Sequence, residues 1–318
     1  MSCHNRHHIL EIAHLSIAFR QYTQHLSQEW LPMISDLNAY VHEGEVVAVV
    51  GSSGSGKSLL AQAVLGILPE NAKMSGNIAF EEVCLTEEKK KEYRGNKIAF
   101  IPQSVNCLDP LMKVGKQVRG SEKKAGTTKR QKELFREYGL PENVENLYPH
   151  ECSGGMLRRI LLCTAWMGNP RLIIADEPTT GLDRDLAEKV MGDFRKFAEK
   201  GNGVLCITHD LELALKTADR VVVFYAGTTL EEALSSDFQD ESRLRHPYTR
   251  ALLRALPQQD FEPAAGTQPQ VVQEGTGCVY LPRCPGSTEE CRGEIPFVHV
   301  NCGSVRCIKY GREKRNEQ

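Results

Sequence analysis

The pattern of apolar and polar positions predicts an alternation of short buried strands with helices. Val46–Val50 is apolar throughout, as expected for a strand covered on both faces in a parallel sheet. Ile9–Phe19 is another strand-like segment, and a polar stretch ending in the turn His42-Glu43-Gly44 separates the two. Helical periodicity follows from Lys57 to about Leu68, before Pro69. Further apolar runs are predicted as strands: Lys97–Ile101, Leu172–Ala175, Val204–Ile207 and Val221–Phe224. This alternation is typical of an α/β fold.

Three segments depart from the alternation. Residues 104–170 are polar and favour helices, which predicts a mainly helical insertion between strands of the sheet. The charged run Thr86–Lys97 is expected to be a solvated loop. From about Ser235 the character changes: Arg245–Leu256 is an amphipathic helix candidate, and residues 257–277 have the composition of a linker.

Length and composition narrow the class of protein. A chain of 318 residues suggests about two domains, and 41% hydrophobic with 25% charged residues is ordinary for a soluble globular protein. The net charge of −2 gives no support for binding nucleic acid. No run approaches the ~18 apolar residues that span a bilayer, and the first residues lack the apolar core of a signal peptide. A cytosolic chain is therefore expected, with any membrane role exerted through partners.

One motif predicts binding of nucleotide phosphates. It fits G-x-x-x-x-G-K-[ST], directly after a buried strand and before a helix. The glycines allow the backbone to wrap around phosphate oxygens, and the helix N-terminus adds partial positive charge. The lysine is expected to reach the β- and γ-phosphates, and the last serine to hold Mg²⁺. The loop comprises Gly51, Ser52, Ser53, Gly54, Ser55, Gly56, Lys57 and Ser58.

A second site follows a different strand. Leu172–Ala175 delivers two carboxylates, Asp176 and Glu177, at the carboxyl end where open α/β sheets bind ligands. Asp176 is expected to contact Mg²⁺ or its water, and Glu177 to act as the general base on the attacking water. Acidic residues at the end of an apolar strand are common, but their occurrence together with a phosphate loop is specific for a nucleotide site.

Further motifs resemble those of ATP-binding cassette (ABC) ATPases. Cys152-Ser153-Gly154-Gly155-Met156 is similar to the family signature LSGGQ, with Cys152 and Met156 in place of the usual Leu and Gln. Gln103 occupies the Q-loop position, Gly181-Leu182-Asp183 the D-loop position, and His209 the switch position. The resemblance spans residues 9–230 in order. It implies a P-loop NTPase cassette with a RecA-like parallel or mixed sheet and a helical subdomain at about 104–170.

The resemblance also implies how the site is shared. Two cassettes face each other head to tail, and each ATP lies between the phosphate loop of one and Ser153, Gly154 and Gly155 of the other. Roles implied for single residues are catalysis by Glu177, His209, Lys57 and Gln103, magnesium binding by Ser58, Gln103 and Asp176, nucleotide contact by Asp183, and adenine stacking by Phe19 or Tyr22.

The C-terminal part resembles one branch of the family. Arg245–Leu253 (RHPYTRALL) and the cysteine-bearing tail are similar to elements of cassettes that serve oligopeptide, dipeptide and nickel importers. We divide the chain accordingly into a nucleotide-binding domain, 1–234, and an extension, 235–318. Five of the 11 cysteines fall in the tail. Cys278, Cys284, Cys291 and Cys307 offer four thiolates for a [4Fe–4S] cluster, which the resemblance favours, or for zinc. Cys302 could replace Cys307, and unliganded cysteines are the alternative.

The combined interpretation is an ATP-hydrolysing subunit of an ABC importer for short peptides, nickel or metal chelates. Expected partners are membrane permease subunits, a second cassette (a sister chain or a copy of this one) and, indirectly, an extracytoplasmic binding protein. The chain would lie peripherally at the cytoplasmic face of the membrane. The alternatives are a soluble cassette protein of iron–sulfur assembly, translation or DNA maintenance, and a nucleotide-gated metal sensor. The sequence leaves the cargo open.

Overall fold

The structure is a computed structural model that describes residues 7–22, 27–52, 54–120, 126–256 and 277–311. Its strands are β1 His8–Tyr22, β2 Gln28–His42, β3 Val46–Val50, β4 Ala72–Phe80, β5 Val83–Cys84, β6 Ile98–Ile101, β7 Leu172–Asp176, β8 Gly203–Thr208, β9 Arg220–Tyr225, β10 Thr228–Leu234, β11 Phe297–Val300 and β12 Gly303–Arg306.

The helices alternate with these strands along the chain. They are α1 Lys57–Leu65, α2 Glu87–Tyr93, α3 Val114–Arg119, α4 Thr127–Glu137, α5 Gly154–Trp166, α6 Arg184–Glu199, α7 Leu211–Thr217 and α8 Pro247–Arg254. Short 3₁₀ turns lie at Val105–Cys107, Val144–Asn146, Pro149–Glu151, Ser235–Gln239, Glu241–Arg243, Leu281–Arg283 and Glu289–Arg292.

The main sheet contains the predicted apolar strands. Its order is β11-β12-β10-β9-β3-β8-β7-β6, and β9, β3, β8, β7 and β6 run parallel to one another, whereas β10 pairs antiparallel with β9. The run Val46–Val50 is buried because the sheet is covered on both faces. Val46, Ala48 and Val50 belong to one apolar core, whereas Val47 and Val49 belong to the other. The predicted α/β fold is confirmed, and the carboxyl ends of β3, β7 and β8 share one edge.

A second sheet, of order β2-β1-β4-β5, is antiparallel and was only partly predicted. The polar stretch before Val46 is in fact the 15-residue strand β2, which pairs along the whole of β1. Register shifts interrupt this pairing, and His14 and Asp36 adopt positive φ angles of 53° and 51°. Such irregularities break the two-residue alternation by which a half-buried strand is recognised in sequence.

The expected solvated loop at Thr86–Lys97 is wrong, because it contains helix α2. The Thr86 side chain accepts a hydrogen bond from the backbone nitrogen of Lys89, and two glutamates occupy the first turn. Lys90 is only 3% exposed, and its ammonium lies 2.8 Å from the Glu87 carboxylate. The charged run therefore forms an amphipathic surface helix with one buried lysine stem.

The described residues of the insertion between β6 and β7 form helices and no strand, as predicted. The extension, in contrast, contributes strands to the main sheet. β12 pairs with β10, placing Val305 opposite Glu231 and Ser304 opposite Glu232, and β11 pairs with β12. Among the described residues, no helix is long and apolar enough to cross a membrane.

Candidate nucleotide site

The phosphate loop links β3 to α1, where glycine is required by sterics. A Cβ at Gly51 would lie 2.0 Å from the carbonyl oxygen of Phe224, so no larger residue fits there. Gly54 and Gly56 have φ angles of 77° and 95°, which side chains disfavour. Gly56 directly precedes the first turn of α1, so the loop leads into a helix N-terminus. Ser53 lies outside the described residues.

Lys57 is buried inside the loop that precedes it. Its ammonium donates hydrogen bonds to the carbonyl oxygens of Gly51 and Ser52, both at 2.8 Å. Burial lowers the pKa of Lys57, although the nearby carboxylates of Glu177 and Asp176 act in the opposite direction. The ammonium is thus held by two neutral carbonyl oxygens of the loop.

Asp176 ends β7 and is 4% exposed. Burial raises the pKa of Asp176, whereas the Ser58 hydroxyl nearby acts in the opposite direction. The Oδ1 atom has no hydrogen-bond partner within the part of the chain that the structure describes. A buried carboxylate oxygen without a partner, next to a serine hydroxyl, fits the hard oxygen ligands that Mg²⁺ prefers.

Glu177 and His209 meet at the same edge of the sheet. The Nδ1 atom of His209 lies 2.8 Å from Oε2 of Glu177, and Thr180 Oγ1 lies 3.5 Å from the same oxygen. The Glu177 side chain is 8% exposed, whereas that of His209 is 64% exposed. Glu177 has a positive φ of 50°, and its amide donates to the Ile207 carbonyl at 2.8 Å. β8 therefore fixes the backbone of Glu177 directly and supplies His209 to its side chain.

The signature segment begins helix α5. The Ser153 side chain caps this helix by accepting a hydrogen bond from the Met156 amide at 3.3 Å. Ser153 and Gly154 are exposed, and no atom lies within 4 Å of a Cβ added at Gly154 or Gly155. The exposed helix N-terminus leaves its amides open to a ligand or a partner.

Comparison with known proteins decides the family. Residues 34–180 match the ABC transporter family, and residues 231–291 match the C-terminal region of oligopeptide/dipeptide transporters. The oligopeptide transport ATP-binding protein AppD of Bacillus subtilis is 33% identical over 96% of this chain and 98% of its own length. The dipeptide transport ATP-binding protein DppD of Haemophilus influenzae is 35% identical over 86% and 88% of the two chains. The chain belongs to the ABC transporter ATP-binding protein family.

A solved structure agrees with this assignment. A dimeric ATP-binding cassette in a post-hydrolysis state, bound to ADP and phosphate, covers 71% of this chain and 98% of its own, with a TM-score of 0.62 and 26% identity. The family assignment and this fold make the chain an ABC-type ATPase, in the oligopeptide/dipeptide branch that the sequence motifs predicted.

The remaining predicted residues of the cassette have local roles. Gln103 is exposed, and its carbonyl oxygen accepts a hydrogen bond from Arg158 at 2.7 Å. Asp183 caps α6 by accepting from the Leu186 amide at 2.9 Å. Phe19 is partly buried against the core, whereas Tyr22 is 71% exposed and its hydroxyl accepts from Gln28. These positions leave the adenine contact of either aromatic ring, and the nucleotide contact of Asp183, as predictions.

The thiols of the tail cysteines lie close enough to influence one another electrostatically. The Cys278 amide donates to the Cys291 carbonyl at 2.8 Å. Burial raises the pKa of Cys278 to about 11, and the nearby thiols of Cys284, Cys307 and Cys291 act in the same direction. In the ranges that the structure describes, no three His, Cys, Asp or Glu side chains are arranged to hold a metal ion. The expected [4Fe–4S] or zinc site is therefore not supported here.

Arg158 is a site residue that sequence analysis missed. It is 4% exposed, and its guanidinium donates to the carbonyl oxygens of Pro102 and Gln103 at 2.7 Å and of Thr180 at 3.3 Å. A further hydrogen bond goes to the carbonyl oxygen of Glu177. One side chain of the signature helix thus holds the Q-loop, the segment before the D-loop, and the backbone of Glu177. No sequence signal separates it from its neighbour Arg159.

Arg158→Leu is expected to lower the ATP turnover of the cassette at least about tenfold. Each hydrogen bond from a charged donor changes the equilibrium constant for holding its partner several-fold, and the variant loses all the bonds that Arg158 makes. Steady-state ATPase assays measure the turnover, and melting temperatures show whether the fold is destabilised. Arg159→Leu is the matched control, because Arg159 also donates to three carbonyls, those of Gly155, Tyr138 and Gly139. Equal turnover in the two variants would contradict the assigned role.

Proposed function

We propose that this cassette hydrolyses ATP to drive uptake of short peptides through a membrane permease. The observation that carries the proposal is the joint presence, in one chain, of the nucleotide site and the extension matched at residues 231–291. Relatives similar over 86% to 96% of the chain are oligopeptide and dipeptide transport proteins, which favours a transporter over a soluble non-transport cassette. Nickel or metal chelates have no such support and remain the second cargo class.

We propose different roles for the residues of the nucleotide site. Lys57 and the loop amides would bind the phosphates, while Ser58, Asp176 and Gln103 would hold Mg²⁺, which supplies charge stabilisation when bound. Glu177 would accept a proton from the attacking water, because its buried carboxylate is oriented by His209 at 2.8 Å. His209, being exposed at the rim, could also contact the nucleotide.

We propose that two cassettes complete each other's sites. What supports this is the exposed Ser153–Gly155 segment, which has free space around it, together with the dimeric state of the similar solved cassette. The second cassette would be either a sister chain or another copy of this one. The phosphate loop of one protomer and the signature amides of its partner would then enclose a shared ATP.

The permease is proposed to dock on the helical insertion near the Q-loop. Leu111 is 87% exposed there. It lines a cavity of about 620 Å³ together with Lys113, Lys116, Arg119 and Glu145, of which Arg119 and Glu145 form an ion pair at 3.8 Å. An apolar anchor beside two lysines fits a permease segment with apolar and acidic side chains. Through that contact the chain would lie at the cytoplasmic face of the membrane, and an extracytoplasmic binding protein would deliver the peptide.

The division of the chain into a nucleotide-binding domain, 1–234, and an extension, 235–318, remains part of this proposal.

The transport proposal is tested in a strain lacking this gene. Peptide uptake is expected to return with the wild-type chain and with Glu188→Gln, whose carboxylate lies on the surface of α6 bonded to Arg184 and Lys216. Glu177→Gln should still bind ATP but lose turnover by at least about 100-fold and fail to restore uptake. Wild-type ATPase activity without any effect on peptide uptake would instead support a non-transport cassette.

We also propose that the four tail thiols take a [4Fe–4S] cluster or zinc, with Cys307 and not Cys302 as the fourth ligand. Support comes from their proximity. The thiols of Cys278 and Cys307 each interact electrostatically with those of Cys284 and Cys291. Iron and zinc bind deprotonated thiolates, so a bound metal would draw the four sulfurs closer together.

Metal analysis of anaerobically purified protein tests the tail proposal. We expect about four iron atoms or about one zinc ion per chain, retained in Cys302→Ser and lost in Cys307→Ser. Protein that contains neither metal, or variants that bind equally, would refute it.

A further inference from the structure

We propose that Gln117 is a positioning residue that holds Leu111 in place as a preformed anchor for the permease. The inference deepens the docking proposal and rests on it, because Leu111 can act as an anchor only if a permease docks on the helical insertion. It assigns to one glutamine side chain the fixing of the backbone segment Asp109–Met112, which carries Leu111.

Leu111 is the most exposed large apolar side chain among the described residues, at 87%. Its loop follows Leu108, which is buried in the core, and ends just before α3. An exposed leucine is ordinary by itself, because protein surfaces carry many apolar atoms. What distinguishes Leu111 is the number of hydrogen bonds that hold the backbone around it.

The Gln117 side chain makes three hydrogen bonds to the backbone of this loop. Its Oε1 atom accepts the Asp109 amide at 2.8 Å, and its Nε2 atom donates to the carbonyl oxygens of Asp109 at 2.9 Å and Met112 at 2.6 Å. A primary amide offers the acceptor and the two donors that this arrangement needs. One side chain therefore holds both ends of the loop.

The loop also closes on itself. The Asp109 carboxylate accepts the Leu111 amide at 2.8 Å, and the Met112 amide donates to the Asp109 carbonyl oxygen at 3.3 Å. Asp at the first position and Pro110 at the second are preferred in such a turn, since proline fixes φ and the carboxylate bonds to the backbone two residues on. The backbone of Leu111 is thus constrained from both sides.

Gln117 itself belongs to a helix with a fixed position. Val114 and Val118 of α3 are fully or almost fully buried in the core. The Val114 amide donates to the carbonyl oxygen of Leu147 at 2.8 Å, which ties the start of α3 to another segment of the insertion. The packing of α3 therefore fixes Gln117, and Gln117 fixes the loop.

A preformed loop favours docking for an entropic reason. A loop that became ordered only on contact would lose backbone freedom at each of its residues. Here that loss has already occurred on folding, so burial of Leu111 against an apolar surface of the permease contributes more fully to affinity. Lys113 and Lys116, which line the same cavity as Leu111, would meet acidic side chains of the permease.

Hydrogen exchange in the purified full-length chain tests the hold on the loop. Gln117→Leu removes all three bonds at similar side-chain size, and we expect the Asp109 and Leu111 amides to exchange at least about tenfold faster. Gln28→Leu is the matched control, because Gln28 donates to the Tyr22 hydroxyl at 3.0 Å on β2, outside the insertion. Unchanged exchange in Gln117→Leu, or equal acceleration of these amides in Gln28→Leu, would overturn the proposal.

Binding to inverted membrane vesicles from the strain lacking this gene tests the role in docking, with protein-free vesicles of the same lipids as background. We expect the dissociation constant to rise about tenfold in Leu111→Ser and about threefold to tenfold in Gln117→Leu. In a chain that already carries Leu111→Ser, Gln117→Leu should add less than about twofold. Ile67→Ser, at an apolar side chain 38% exposed just after α1, should bind like wild type.

The outcomes separate this inference from the transport proposal. If the wild-type chain binds the vesicles and restores peptide uptake, but Leu111→Ser or Gln117→Leu binds equally well, only this inference fails. Additive effects of the two substitutions would also refute it, because a glutamine that only stabilised the fold would weaken binding with or without Leu111. A wild-type chain that binds no better than background would refute the docking proposal and this inference together.

Discussion

The nucleotide site depends on keeping buried polar groups available instead of pairing them with each other. The Lys57 ammonium is bonded to two loop carbonyls, and Oδ1 of Asp176 has no hydrogen-bond partner among the described residues. Burying such groups is unfavourable, as the lowered pKa of Lys57 and the raised pKa of Asp176 indicate. A ligand that brings phosphate oxygens and a divalent cation would interact with the Lys57 ammonium and the Asp176 carboxylate at once. The unfavourable free energy of burying these groups in the free chain is then offset when the ligand binds, which raises the affinity for the ligand.

The sheet makes this arrangement possible. β3, β8 and β7 are adjacent and parallel, so the phosphate loop, His209 and the two carboxylates emerge at one edge. Each strand is buried on both faces and therefore has little freedom to shift. A contact from outside the sheet then refines the edge, because Arg158 donates a hydrogen bond to the carbonyl oxygen of Glu177.

The parts that could be predicted from sequence are those encoded locally. The phosphate loop, the Asp176–Glu177 pair and His209 each follow a short apolar strand, so their common edge follows from parallel topology alone. Arg158 acts on segments distant in sequence, and only the folded chain shows that it is buried among backbone carbonyls. β2 escaped recognition because register shifts at His14 and Asp36 disturb its alternation. The charged helix α2 was misread because its stabilisation comes from a cap and a buried lysine stem, which composition does not show.

Asp176→Asn tests the central claim most directly, since it removes the buried charge and keeps the shape. Melting temperatures should be compared for wild type and variant, each alone, with ATP plus a chelator, and with MgATP. The account predicts that the variant alone melts at or above the wild type, while the additional stabilisation that Mg²⁺ gives to ATP-bound wild type disappears. A variant that is destabilised on its own and still gains the full magnesium-dependent increment would contradict the account.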